Sequence, residues 1–181
     1  MATRSKEQKE NQPKSYNKME PMLRTKNDLP EDNRMQMVQL CNRQLADVFD
    51  LFSQTKQAHW NVKGSDFYQL HELYDELAGH LLGYTDMIAE RATALGGAAT
   101  GTVRMAASAT RLDDFSMGPV DSMESVRMLV DRYASVAAST REAIEKAEDA
   151  KDQGTMDMFT EISRDLDKFL WFLEAHIQGN P

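Results

Sequence analysis

Cysteine is almost missing from this chain. Cys41 is the single one in 181 residues, which excludes an internal disulfide framework and fits a reducing compartment. It falls in an apolar helical pattern and reads as a small buried hydrophobe rather than a reactive thiol. No run approaches the ~20 apolar residues that a membrane span needs, and the N-terminus has no apolar stretch of the kind that opens a signal peptide. Strand-like alternation and internal repeats are lacking too. Net positive charge is also absent: at −8, the chain is not expected to bind nucleic acid with its whole surface. One soluble cytoplasmic domain with a tail is the expectation.

The charge that is present is unevenly placed. Residues 1–26 carry seven basic side chains against three acids, +4, which leaves −12 for the remainder. Residues 1–30 are polar, hold Pro13, Pro21 and Pro30, and bury too little apolar surface to offset the entropy of ordering. They are expected to form a mobile arm, with residues 31–181 as the folded body. Arg4, Lys6, Lys9, Lys14 and Lys18 are spaced along the arm so that it can reach phosphates without ordering the body. A solubilising tail would look the same.

The body reads as four long helices. The first, capped by Asp32 or Asn33, runs to about Val62 with Met37, Leu40, Cys41, Leu45, Val48, Phe49 and Phe52 as its apolar stripe. The second runs from Ser65 or Asp66 to Leu95, where Gly96-Gly97 stops it. Residues 96–120 form a long crossover with a short helix expected near Leu112–Ser116. A third helix starts at Asp121 or Ser122, Gly154 is expected to turn the chain, and a fourth helix spans about Thr155–Ile177. Four helices with one long crossover between the second and third predict an all-α, ferritin-like four-helix bundle.

Chemistry concentrates between His59 and Glu90. His71 and Asp75 are four residues apart, as are Asp86 and Glu90, so each pair shares a helix face. Eleven positions separate Asp75 from Asp86, close to three turns, so both pairs point the same way. The rise between them is roughly 16 Å, beyond the reach of one metal centre. They can converge only if two copies of the helix pack antiparallel about a twofold axis near His80 and Leu81, which predicts a dimer. Imidazole mixed with carboxylate suits ferrous iron, and also zinc or manganese, while the lack of thiolates weakens a structural zinc reading. Taken singly, each histidine fits an ordinary hydrogen-bonded role and each acid a solvated face; the phased set is what points to metal.

The segment TKQAHWNVKGSDFYQLHELYDEL, followed by DMIAERATALGG, and the later SRDLDKFLWFLE closely resemble the Dps family, the mini-ferritins named as DNA-binding proteins from starved cells. The likeness covers roughly residues 30–177. It implies a hollow homo-oligomeric shell of twelve subunits that oxidises Fe²⁺ to Fe³⁺, preferentially with hydrogen peroxide, and stores the ferric mineral inside. By this resemblance His59, His71 and Asp75 are one side of an intersubunit diiron ferroxidase site, and Asp86 and Glu90 come from the partner, with Glu90 bridging two irons. Trp60 matches a family tryptophan assigned to intercepting stray oxidising equivalents, although packing at the dimer contact serves equally well. Asp157 resembles a family pore aspartate for iron entry, with Asp152 a weaker candidate. Twelve methionines are expected to fill core and contacts rather than to act as oxidation targets. The implied role is protection of DNA from oxidative damage, with the N-terminal arm binding DNA and the protein associated with the nucleoid. The alternative is a DNA-compacting nucleoid protein in which iron chemistry is secondary.

Overall fold

The computed structural model describes residues 21–115 and 120–179. The four long helices are α1 (Glu31–Asn61), α2 (Phe67–Ala94), α4 (Ser122–Asp149) and α5 (Gln153–Ala175), and a short α3 (Val103–Ala109) lies in the crossover. The expected all-α, ferritin-like bundle is what forms. Beyond helix, the described residues add a two-residue parallel pairing of β1 (Val62–Lys63) with β2 (Val120–Asp121). That pairing sets the start of α4 beside the end of α1. Helices α2 and α4 therefore leave from the same end of the bundle and run the same way, which is why the chain needs a long crossover between them.

The apolar stripes meet in one core. Leu45, Leu70, Tyr74, Leu77, Leu81, Ile88, Leu129, Tyr133, Phe159 and Phe169 are fully buried. Cys41 is among them at 0% exposure, and burial pushes its thiol up to about 12, so it is inert at neutral pH. Two buried hydroxyl pairs tie the hairpins together beneath the bridged end: Tyr74 Oη with Ser125 Oγ at 2.8 Å, and Tyr133 Oη with Thr55 Oγ1 at 3.2 Å.

Several local expectations are corrected. Helix α1 starts at Glu31 with Pro30 at its cap position and no side-chain cap. Asn33 instead donates to the Ala150 carbonyl at 2.9 Å, across 117 residues. The short crossover helix is Val103–Ala109, while residues 112–115 are not helical. Its signal was Thr102, whose hydroxyl accepts from Met105 N. The turn before α5 is made at Lys151, which takes φ 59 in a Schellman closure, with Lys151 N on Glu148 O and Asp152 N on Ala147 O, both at 2.9 Å. Gly154 lies inside α5, where a Cβ would meet the Arg91 guanidinium at 3.0 Å. Close approach explains that glycine.

The segment expected to be mobile up to residue 30 is in part pinned. Leu23 N donates to Gly96 O at 2.7 Å, Met22 and Leu29 pack on the core, and the buried Arg34 bonds both Leu29 O and Leu95 O. Arg4, Lys6, Lys9, Lys14 and Lys18 lie outside the described residues. The Leu23 contact meets α2 at its Schellman end, with Gly96 N on Thr93 O and Gly97 N on Ala92 O. A Cβ on Gly97 would collide with Val38 Cγ1 and Cγ2, the latter at 2.6 Å. Gly97→Ala is therefore expected to cost about 1–3 kcal/mol by overpacking, read as a lower urea midpoint with an unchanged slope.

Candidate metal centre

His59 sits in the last turn of α1 and His71 in the second turn of α2, joined through β1 and a turn at Gly64, whose φ is 122. The hairpin brings the two imidazoles face to face, centroids 3.7 Å apart and planes 19° from parallel. Each Nδ1 lies on the other residue's backbone carbonyl, His59 Nδ1 to His71 O at 2.8 Å and His71 Nδ1 to His59 O at 2.9 Å. A carbonyl only accepts, so each Nδ1 must carry a proton and donate it. In the neutral rings that leaves both Nε2 atoms bare, with lone pairs available to a cation. An outer hydrogen bond that fixes tautomer and ring orientation is the usual support of a ligating histidine.

Asp75 stands one turn beyond His71 and receives Lys56 Nζ at 2.6 Å. That hydrogen bond, with the Lys56 charge second, holds its carboxyl below the usual carboxylate range. Any cation approaching Asp75 must compete with Lys56. Trp60 is 63% exposed beside this group, with Lys56 Nζ 5.8 Å from its ring centroid. Phe67 closes the other side, 5.2 Å from the His71 ring.

Asp86 and Glu90 lie farther along the same unbroken helix, both exposed, and among the described residues neither carboxylate has a partner. Straight helix geometry keeps Asp86 about 16 Å and Glu90 about 22 Å from Asp75. Within one chain, no three His, Cys, Asp or Glu side chains among the described residues come together to hold a metal. His80 turns away from the ligand face, its ring 5.1 Å from Phe169 on α5. Asp157 is exposed on α5. Asp152 is not available to line a pore: it is 2% exposed, caps α5 by accepting from Thr155 N at 3.1 Å, and pairs with Arg91 Nη2 at 2.5 Å.

The histidine lock has a direct spectroscopic consequence. At a pH where both rings are neutral, ¹⁵N spectra of the metal-free protein should show His59 and His71 as Nδ1–H tautomers, opposite to the form free imidazole side chains favour. Zn²⁺, as a redox-silent probe, should then move the Nε2 signals. Nε2–H tautomers in both rings would contradict the reciprocal carbonyl bonds.

A bundle with its second and third long helices joined by a crossover, and two stacked histidines and a carboxylate carried by one hairpin, is of the ferritin-like class, and the ferritin-like domain family model matches residues 38–179. The chain is 44% identical over 155 residues to the DNA protection during starvation protein of Agrobacterium fabrum, a match spanning 86% of this chain and 96% of that relative. DpsC from Streptomyces coelicolor superposes with a TM-score of 0.84 at 30% identity, covering 88% of this chain and 94% of its own. Mycobacterium smegmatis Dps does so at 0.82 and 31%, covering 86% and 89%. The chain belongs to the Dps family of ferritin-like proteins.

Proposed function

We propose that the protein is a mini-ferritin that oxidises Fe²⁺ with hydrogen peroxide at sites shared between two subunits, stores the ferric product inside a twelve-subunit shell, and so protects DNA. The observation that carries this reading is the reciprocal His59–His71 lock, which presents two bare Nε2 atoms beside Asp75 while Asp86 and Glu90 wait, unpartnered, about three and four turns further along α2. Nitrogen and carboxylate donors without thiolate suit iron as substrate, because carboxylates tolerate both its oxidation states.

The middle of α2 supports the partner geometry. Leu82 lies on the ligand face and is 51% exposed. Gly79 and Gly83 flank the midpoint, and a Cβ on either would find nothing within 4 Å. Small residues between two half-sites let a second α2 approach closely about a twofold axis. His59, His71 and Asp75 of one subunit would then face Asp86 and Glu90 of the other. Peroxide takes up two electrons, one from each of two ferrous ions held together, and its oxygen atoms leave as water rather than as hydroxyl radical.

The N-terminal arm is assigned to DNA contact, and Asp157, exposed where Asp152 is not, remains the candidate for cation entry. No helix among the described residues is long and apolar enough to cross a membrane, and a cytoplasmic, nucleoid-associated location fits the arm's charge. The test is anaerobic protein given Fe²⁺ and peroxide, which should consume about two ferrous ions per peroxide, as expected of a two-metal site. Failure of the combined change His59→Ala and Asp86→Ala to slow oxidation would refute the site assignment.

A further inference from the structure

Four tyrosines among the described residues differ in one chemical respect. Tyr68 is 71% exposed. Tyr74 bonds the Ser125 hydroxyl and Tyr133 the Thr55 hydroxyl. Tyr84 alone among them places its phenol on a carboxylate, donating to Asp165 Oδ2 of α5. It is 5% exposed. Glu161, one turn earlier on α5, adds a second negative charge toward the same phenol.

The difference matters for electron transfer. A phenol that gives up an electron becomes a strong acid, and the loss is easy only if a base takes the proton in the same event. A serine or threonine hydroxyl cannot take it; a carboxylate can. Tyr84 is also two residues from Asp86 on α2 but on the opposite face, so its ring and the ligand face are separated by about the helix diameter of 10–12 Å. Single-electron transfer through protein readily spans that distance, while the helix backbone keeps the phenol out of the iron site itself.

We infer that Tyr84 with Asp165 is a proton-coupled electron donor that disarms one-electron oxidants of the hydroxyl-radical class escaping from the iron site. The inference rests on the iron-and-peroxide reading for the source of that oxidant. In the first step Tyr84–OH gives one electron to HO•, which becomes HO⁻, and its proton passes to the Asp165 carboxylate, leaving a neutral Tyr84 radical and Asp165–COOH. In the second, an Fe²⁺ ion supplies an electron and becomes Fe³⁺, and the proton returns from Asp165 to the phenol. The net change is HO• and Fe²⁺ to HO⁻ and Fe³⁺, with the protein restored. Burial prevents two such radicals from coupling, which exposed Tyr68 could not avoid. Asp165 is the positioning residue and proton acceptor; it need not touch iron.

The test uses the full chain carrying Tyr16→Phe and Tyr68→Phe, so that the remaining tyrosines are those bonded in the bundle. Freeze-quenched samples given Fe²⁺ and excess peroxide should show a tyrosyl signal by electron paramagnetic resonance. Tyr84→Phe should lose it, Asp165→Asn should lose it although the tyrosine remains, Asp165→Glu should keep it, and Tyr133→Phe should leave it unchanged. A signal that survives Tyr84→Phe or Asp165→Asn overturns the proposal. So does the absence of any tyrosyl signal in a sample whose iron has been oxidised.

A second arm needs no iron. Metal-free protein is oxidised by a flash-generated ruthenium(III) polypyridyl, and the rate of tyrosyl formation is compared in H₂O and D₂O. A solvent isotope effect that disappears in Asp165→Asn supports the relay, even if iron oxidation itself were to fail. A hydrogen bond that merely ties α2 to α5 would change the unfolding midpoint in the variants but neither the radical nor the isotope effect, and that result rejects the relay.

Discussion

Subunits carrying His59→Ala and subunits carrying Asp86→Ala, each strongly slowed when assembled alone, should regain ferrous oxidation when assembled together. A homodimer of the first lacks an imidazole at both of its sites, and a homodimer of the second lacks a carboxylate at both. Each variant alone should oxidise iron at least about tenfold more slowly, since even the loss of an outer-shell partner of a ligand costs ten- to a hundredfold. A mixed dimer differs. One of its sites joins His59, His71 and Asp75 from the Asp86→Ala subunit to Asp86 and Glu90 from the His59→Ala subunit, and is complete. The other lacks both donors. Random pairing makes half of the dimers mixed, each with one intact site of two, so recovery should approach about a quarter of the unmodified rate. The measurement is stopped-flow oxidation of Fe²⁺ by peroxide, with co-folded subunits compared against a mixture of preformed shells. A site contained in one chain would give no recovery in either sample, and the shared-site reading would then fall.

That experiment turns on the feature most legible in the sequence. Residues at spacings of four and eleven are read directly as a helix face, and α2 runs unbroken from Phe67 to Ala94, so the phase of the donor pairs survives folding. The apolar stripes were legible for the same reason: period in sequence becomes direction in space. What escaped reading depends on contacts between residues far apart. Asp47 falls within the apolar stripe of α1 and is 1% exposed, yet it accepts from Arg111 N and Arg111 Nε, both at 2.8 Å, and also from Nη2, across 64 residues. With Asn42 on Ala98 O and Gln54 on Asp113 O, it fastens the crossover to the bundle. No local pattern announces such a pairing. The histidine lock is similar. Spacing marked His71 and the family resemblance added His59, but only the hairpin shows each ring using the other's carbonyl. Lys56, which bonds Asp75, lay in the quoted motif without a role until the two helices were side by side.

Removing everything before Pro21 should abolish retention of DNA while leaving iron oxidation unchanged. The cut belongs there because Leu23 is bonded to Gly96 and Met22 and Leu29 pack on the core. A longer deletion would confound loss of DNA contact with loss of stability. Residues 1–20 hold five basic side chains, Arg4, Lys6, Lys9, Lys14 and Lys18, against three acids, so the chain from Pro21 onward carries −10. A body of that charge repels a polyanion. Contact through the arm must therefore be electrostatic and must weaken steeply as salt displaces it. An arm that makes about six phosphate contacts should lose roughly a thousandfold in affinity between 50 and 200 mM salt. Several arms on one particle would raise the apparent affinity further by binding together. Gel retardation across a salt series reads both effects, and the same preparations serve for the iron assay. If the truncated protein keeps its DNA with an unchanged salt midpoint, the contact lies on the body and the arm is a solubilising tail. If truncation slows iron oxidation as well, the docked residues after Pro21 transmit arm contacts to α2, through Leu23 at the end of the helix that carries Glu90.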